Sequence, residues 1–263
     1  MDTSTPLHRS LGIQFRVIGA LLMREVLTRY GRRNIGFGWL FVEPMIFTMG
    51  IATLWNFTRG VHGSDLPIIP FAIIGYSSLL VWRNGANRCA RAIQPNLSLL
   101  YHRNVTVLDI FAARLLLEIA GTTTSLVVLL GTFILVGVAD IPANPVTMVA
   151  AWLLLAWFTV GLGLTVGVLA EQSEGFERIW HTLTYIMFPF SGAVFMVDWL
   201  PTRMQEWMLW VPMVNGVEML RGGYYGPTVP THYDVGYLAT VNAVLLLLGL
   251  VLVDRYKHSD LSE

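Results

Sequence analysis

Lysine is nearly missing from this sequence: of its 17 basic residues only Lys257 is a lysine. A phosphate-cradling G-x-x-x-x-G-K-[ST] loop needs a lysine followed by serine or threonine, and Lys257 is followed by His258. If this chain takes part in ATP-driven work, the ATP site belongs to another chain. Cysteine is almost as scarce. Cys89 is the single one, so no intramolecular disulfide can form. The chain has no H-E-x-x-H, no G-x-S-x-G and no cysteine pair, and its six histidines (His8, His62, His102, His181, His232 and His258) are dispersed. No catalytic or metal-binding constellation emerges. Charge is sparse too, at 13% of residues, against roughly 25% in soluble domains. The formal net charge is zero, which excludes a global attraction to nucleic acid or to anionic surfaces. The first 38 residues carry scattered arginines and no apolar core ending at small residues, so a cleavable signal peptide is not expected.

What the chain has instead is apolar length. Hydrophobic residues make up 54% of it, and the mean hydropathy is +0.59. Six segments approach the length of about 20 residues that crosses a hydrocarbon core of roughly 30 Å. They lie near residues 39–57, 67–82, 108–138, 146–170, 179–197 and 236–253. One such segment alone is compatible with a soluble core helix; six in series are not. The second is interrupted at Arg83, and the third is long enough to tilt.

The arginines alternate between loops. Arg9, Arg16, Arg24, Arg29, Arg32 and Arg33 precede the first span. Arg83, Arg88, Arg91 and Arg103 lie between spans two and three, Arg178 between four and five, and Arg255 with Lys257 after six. The remaining loops hold only Arg59, Arg203 and Arg221. By the positive-inside rule both termini are expected in the cytoplasm. Topology explains these clusters better than a nucleic-acid site does.

Residues 11–28 read as a helix at the membrane interface. Leu11, Phe15, Ile18, Leu22 and Val26 share one face at helical spacing, with Arg9, Arg16 and Arg24 opposite. Docking of this amphipathic helix on another protein is an equal alternative. In the second cytoplasmic segment, Pro95 and Asn96 break a helical stretch, and residues 97–101 form one further turn. Leu97, Leu99, Leu100 and Tyr101 cluster there, as a docking knob for a soluble partner would. The outer stretch 199–227 holds two short helical patterns, separated near Val211–Pro212, each too short to cross. Together they read as re-entrant segments. Trp199, Trp207, Trp210, Tyr224 and Tyr225 suit the headgroup level, with sugar stacking as the sharper alternative.

Ionisable groups inside spans are functional candidates. Glu43 lies about one turn inside span one, next to Pro44, and needs a buried partner such as an arginine. Asp109, Arg114 and Glu118 lie early in span three. Arg114 and Glu118 are four apart on one helix face, which favours a structural ion pair. Gly163 and Gly167, also four apart, allow close helix approach. The expected fold is an all-α integral membrane protein with six transmembrane helices. An N-terminal amphipathic interface helix precedes them, and re-entrant periplasmic helices lie between spans five and six. Residues 1–38 form the cytoplasmic N-terminus, 39–253 the transmembrane domain and 254–263 the cytoplasmic tail.

The stretch LLMREVLTRYGRRNIGFGWLFVEPMIF resembles the opening of the ABC-2 type permeases that export capsular polysaccharide in Gram-negative bacteria. Those begin with an Arg- and Glu-bearing interfacial helix, a basic R-[YF]-G segment and a G-x-x-W-x-x-x-E-P start to the first span. This chain has Arg24–Glu25, Arg29–Tyr30–Gly31, Gly36, Trp39 and Glu43–Pro44. The similarity continues from Arg83 through RLLLE (114–118) and returns in MLWVPMVNGVEMLRGGYYG (208–226), where the family has L-W-N-P followed by V-E-x-x-R. Here Val211 replaces the family's asparagine, a change that bears on a turn hydrogen bond and not on the fold.

The resemblance implies a homodimeric permease of the bacterial inner membrane with one ATP-binding subunit beneath each protomer. ATP and Mg would be bound by those subunits, with no cofactor in this chain. A lipid-linked polysaccharide would leave through a channel at the dimer axis, towards a periplasmic co-polymerase and an outer-membrane exporter. Arg83, Arg88, Arg91, Leu97, Leu99, Leu100 and Tyr101 would couple to the ATPase. Arg24, Arg29, Arg32 and Arg33 would attract the lipid phosphate. Phe47, Trp55, Phe57, Trp199, Trp207 and Trp210 would line the sugar path. The rival substrates are O-antigen, teichoic acid or a small drug. The rival classes are a membrane enzyme acting on polyprenyl-linked sugars and an ion-coupled carrier with Asp109, Arg114 and Glu118 as a relay.

Overall fold

The structure, a computed structural model, describes residues 7–30, 46, 50, 66–100 and 105–259. The expected first span at 39–57, and with it Glu43, Phe47, Trp55 and Phe57, lies outside the described residues, as do Arg32, Arg33 and Tyr101. The helices are α1 (Leu7–Tyr30), α2 (Ile68–Cys89), α3 (Leu97–Leu100), α4 (Val107–Leu135), α5 (Pro145–Gln172), α6 (Glu174–Met187), α7 (Thr202–Leu209), α8 (Pro212–Tyr225) and α9 (Val235–Ser259). A 3-10 turn, Gln94–Asn96, leads into α3. No strand occurs among the described residues.

Side-chain caps start α4, α5 and α6. Thr106 and Asp109 form a reciprocal capping box at the head of α4: the Thr106 amide donates to the Asp109 carboxylate at 2.8 Å, and Thr106 Oγ1 accepts from the Asp109 amide at 3.3 Å. Asn144 caps α5 through the Thr147 amide at 3.1 Å, with Pro145 in the first turn, where its missing N–H costs nothing. Ser173 caps α6 through the Phe176 amide at 3.3 Å, and Glu174 and Glu177 meet the positive end of that helix. Gly226, at φ +68°, closes α8 in a conformation that other residues rarely adopt.

α4, α5 and residues 235–256 of α9 are long and apolar enough to cross a membrane. α5 is the hub. It packs on α9, α2 and α8, and its glycines set the distances. A Cβ on Gly161 would stand 2.9 Å from the Leu246 amide of α9. Gly163 and Gly167, the pair expected to permit close approach, face Leu115 and Phe111 of α4 and Cys89 of α2. Two large apolar clusters fill the bundle. One joins Ile73, Leu126, Leu129, Trp152, Leu155 and Leu220. The other joins Cys89, Val107, Phe111, Leu164, Val253 and Tyr256 at the opposite end. The outer faces of α4 and α9 remain apolar yet uncovered: Val127, Val244 and Leu247 are each 60% or more exposed. Water would not tolerate so continuous an apolar surface; lipid does.

One element departs from expectation. The fifth apolar segment, read as 179–197, begins earlier and is helical only through Met187. Its 14 residues span about 21 Å at 1.5 Å per residue. Residues 188–196 continue without helix towards the far end. α1 lies along α4, which Gln14 and Glu25 turn inward to reach. Phe15, on the face expected to meet lipid or another protein, is 74% exposed.

Replacing Gly161 by valine is expected to pry α9 from α5 and to destabilise the protein by about 1–3 kcal/mol, as overpacking does. Gly131 lies in α4 with no neighbour near its would-be Cβ. Gly131→Ala is expected to be neutral or stabilising by up to about 1 kcal/mol. Thermal unfolding in detergent distinguishes the two.

Candidate functional site

The bundle has two polar ends. At the first, the arginines gather. α2 ends at Cys89, and its terminal carbonyls need donors. Arg114 of α4 supplies them: Nη1 donates to the carbonyls of Arg88 and Arg91, each at 2.7 Å. Its Nε lies 3.5 Å from the carboxylate of Glu25 on α1. Glu118, nearly buried, lies 3.5 Å from Arg88. The expected pairing of Arg114 with Glu118 within α4 is therefore corrected. Both residues sit on one face, but Arg114 is held by the carbonyls at the end of α2 and by Glu25 of α1, and Glu118 by Arg88 of α2, because neighbouring helices offer both partners and a place to bury them.

Asp109, also expected in an ion pair, is corrected likewise. Its hydrogen bonds go to neutral groups: the Thr106 amide, Thr106 Oγ1 at 2.7 Å and the Gln14 amide side chain. It is a helix cap and a tether for α1.

The short turn after α2 is anchored by the same network. Arg24 of α1 donates to Asn96 Oδ1 at 2.7 Å, and Asn96 Nδ2 donates to the Ala92 carbonyl at 2.7 Å. Gln94 donates to Glu171 at the end of α5 at 2.8 Å. Arg91 pairs with Glu177 of α6 at 2.6 Å. Trp180 donates to Asn87 at 2.8 Å. Arg83 lies 4.8 Å over the ring of Tyr185. The turn at 94–100 is thus held by α1 through Asn96 and by α5 through Gln94, while α4 and α6 hold the chain just before it, at 87–91. Of its leucines, Leu97 is exposed, Leu99 half-buried, and Leu100 packs on the Cys89–Phe111 cluster. Arg24 and Arg16 stand on the exposed side of α1, and Arg29 falls in its last turn.

The second end holds the tryptophans, and its centre is Arg221 of α8. It is fully buried. Nη1 donates to the carbonyls of Gly192, at 2.8 Å, and Phe195; Nη2 donates to that of Ala193 at 2.8 Å. The guanidinium lies 3.8 Å over the ring of Phe71 in α2. Gly75 makes room for this: a Cβ there would collide with the Ala193 carbonyl oxygen and the Arg221 fork. One turn earlier, Glu218 accepts from the amides of Val197 and His232, each at 3.2 Å. Val217, Glu218 and Arg221 thus bind the chain before α7 and the chain before α9 to one helix.

Asn215 answers the departure at Val211. Its Nδ2 donates to the Leu209 carbonyl at 2.7 Å, and its Oδ1 accepts from the Asp234 amide at 2.8 Å. The turn between α7 and α8 is closed from inside α8 rather than from position 211. Trp199 stacks on Phe71, with ring centroids 5.3 Å apart. Trp207 and Trp210 are more than 70% exposed, and Trp210 meets Tyr237 edge-on. Trp199 is half-buried, with one ring face occupied by Phe71.

Glu218, Arg221, Asn215 and Asn96 had no role in the residue pattern. The V-E-x-x-R spacing was visible, but which backbone it would serve was not. No group of three or more metal-ligating side chains occurs among the described residues.

The model of the ABC-2 type transporter family matches residues 16–225. Over 252 residues, 96% of this chain and 95% of the relative, the sequence is 50% identical to the capsule polysaccharide export inner-membrane protein CtrC of Neisseria meningitidis serogroup B. It is 46% identical over the same shares to the capsule polysaccharide export inner-membrane protein BexB of Haemophilus influenzae. It is 25% identical over 251 residues, 95% of this chain and 97% of the relative, to the polysialic acid transport protein KpsM of Escherichia coli.

Removing the fork at position 221 strands the three buried carbonyls it serves. Arg221→Met is expected to cost about 3 kcal/mol or more, since each buried acceptor left unsatisfied costs roughly 1–3 kcal/mol. Arg221→Lys, which keeps the charge but lacks the planar fork, recovers only part. The yield and melting temperature of the purified protein report both.

Proposed function

Because the chain belongs to the ABC-2 type transporter family, we propose that it is the membrane permease of an ATP-driven exporter of capsular polysaccharide. It carries a lipid-linked glycan from the cytoplasm towards the periplasm and catalyses no reaction of its own. The observation that carries this reading is the 50% identity with CtrC over 96% of the chain. It lies in the inner membrane with its arginine-rich end and both termini in the cytoplasm, as the positive-inside rule favours. ATP and Mg bind a separate subunit, two copies of which serve a homodimer of this chain. A periplasmic co-polymerase and an outer-membrane exporter continue the path.

In this reading the segment 174–199 is the fifth of six spans. It leaves the arginine-rich end at the Arg91–Glu177 pair and reaches the other end where Trp199 stacks on Phe71. Its non-helical portion is tolerated at membrane depth because Arg221 satisfies three of its carbonyls. α7 and α8, of 8 and 14 residues, are too short to cross and dip into the outer leaflet as a re-entrant pair.

The turn at 94–100 is the ATPase contact, with Arg83, Arg88 and Arg91 behind it. Its bonds to α1 and α5 suit a part that must transmit force, since a docking element on a loose loop absorbs a displacement rather than passing it on. Arg24, Arg29, Arg32 and Arg33 draw the lipid phosphate to the permease. Trp207 and Trp210, with Phe47, Trp55 and Phe57, offer faces on which sugars slide.

Expression in cells lacking capsule export is expected to restore surface polysaccharide, and an ATPase is expected to co-purify. A solitary chain that restores nothing overturns the reading. Leu97→Ala with Leu99→Ala is expected to lower transport-coupled ATP hydrolysis roughly tenfold, the equivalent of about 1.4 kcal/mol of docking energy. Unfolding should be unchanged, because neither leucine is fully buried. Wild-type coupling in that variant would remove the contact assigned to this turn.

A further inference from the structure

A cavity of about 580 Å³ opens at the tryptophan-rich end, between the starts of α2 and α5, the end of α8 and the loop before α7. That is within the range of roughly 300–1,000 Å³ in which small-molecule sites fall. Three aromatic side chains line it: Trp199, Tyr224 and Tyr225. None is free to swing. Trp199 is stacked on Phe71. Tyr224 donates its hydroxyl to the Asp140 carbonyl at 2.9 Å, Tyr225 to the Pro67 carbonyl at 3.1 Å, and the two rings meet edge-on. The walls are therefore held in place before any ligand arrives, which lowers the entropy cost of binding.

The polar groups at the wall are of one kind. Asp140 and Asp198 bring carboxylates, which accept hydrogen bonds and cannot donate when ionised. Thr228 adds a hydroxyl whose proton is given to the Tyr225 carbonyl at 2.9 Å, leaving its oxygen to accept. No lysine or arginine is among the described residues that line the cavity. His232, 3.4 Å from Asp198, lies outside it. A ligand here must bring donors and an apolar face, and it must not bring negative charge.

We propose that this cavity binds an uncharged pyranose unit of the glycan. The C–H face of the ring rests on the aromatic wall, and its hydroxyls donate to Asp140 and Asp198. The proposal rests on the export reading above and narrows it: the site reads the neutral sugars of a passing chain, and acidic units or a lipid phosphate are repelled from it. Carboxylates anchored beside aromatic rings discriminate by charge as well as by shape, because placing a second anion next to them in a partly dehydrated cleft is costly.

The test uses the full chain in lipid nanodiscs and saturation-transfer NMR with two probes, an uncharged disaccharide (diacetylchitobiose) and an anionic sugar (free sialic acid). The expected result is transfer to the ring C–H protons of the disaccharide and none to sialic acid. Thr228→Trp, which fills the cavity, and Asp140→Ala, a change at an exposed residue that leaves the core intact, are each expected to weaken disaccharide binding at least about tenfold. No signal from the disaccharide, a signal from sialic acid alone, or equal signals in wild type and Asp140→Ala would overturn the proposal. If Thr228→Trp fails to fold, Asp140→Ala decides. The same wild-type gene is scored for surface capsule in export-deficient cells. Export restored without a disaccharide signal removes only this site. The expected sugar signals without restored export remove the export reading and leave the cavity's ligand class standing.

Discussion

A carbonyl released from a helix inside an apolar bundle has no water to turn to, and that constraint organises both ends of this molecule. Two arginines meet it. At one end Arg114 reaches the carbonyls of Arg88 and Arg91, where α2 stops. At the other Arg221 gathers the carbonyls of Gly192, Ala193 and Phe195, where the chain runs without helix. A guanidinium suits the task because its fork of donors is planar and stays charged, so several acceptors can be served from one side chain. Each fork is set beside a carboxylate, Glu25 or Glu218, which offsets the cost of holding the charge out of water.

The consequences differ between the ends. At the arginine-rich end the fork of α4 closes the end of α2, Arg91 pairs with α6, and the short turn that follows is tied to α1 through Asn96 and to α5 through Gln94. At the tryptophan-rich end the fork frees the chain from having to be helical. Residues 188–196 can then fold over α2, Gly75 can press against the Ala193 carbonyl, and α8 can sit buried between α2, α5 and α9. At the end of this irregular backbone Met196, with Asp198 and Trp199, contributes one wall of the cavity there.

For a permease these two properties are complementary. A motor subunit needs something rigid to push, and a polymer needs a passage lined by groups that hold it weakly. α5 connects them. Its glycines bring α9, α4 and α2 close along its length, so the two ends are joined by a tightly packed helix.

Much of this was legible in the residues. Apolar length placed α4, α5 and α9, and arginine counts distinguished the ends. Pro95 and Asn96 announced the break before α3, and Gly163 and Gly167 announced close packing. These readings rest on short-range rules of solvent, charge and backbone geometry, which a linear pattern carries in full. Partnership was not legible. Arg114 and Glu118 look like a pair at i and i+4, yet each is held by another helix. Gln14 and Glu25 look like surface residues of an amphipathic helix, yet both reach α4. V-E-x-x-R is plain to see, but nothing in the sequence says that its arginine closes three carbonyls from 26 to 29 residues away. The sequence by itself determined that the chain lives in lipid and which of its ends carries the charge. Only the tertiary structure decided which acceptor each buried donor serves, because that choice depends on which helices lie within a few ångströms, and distance along the chain says nothing of that.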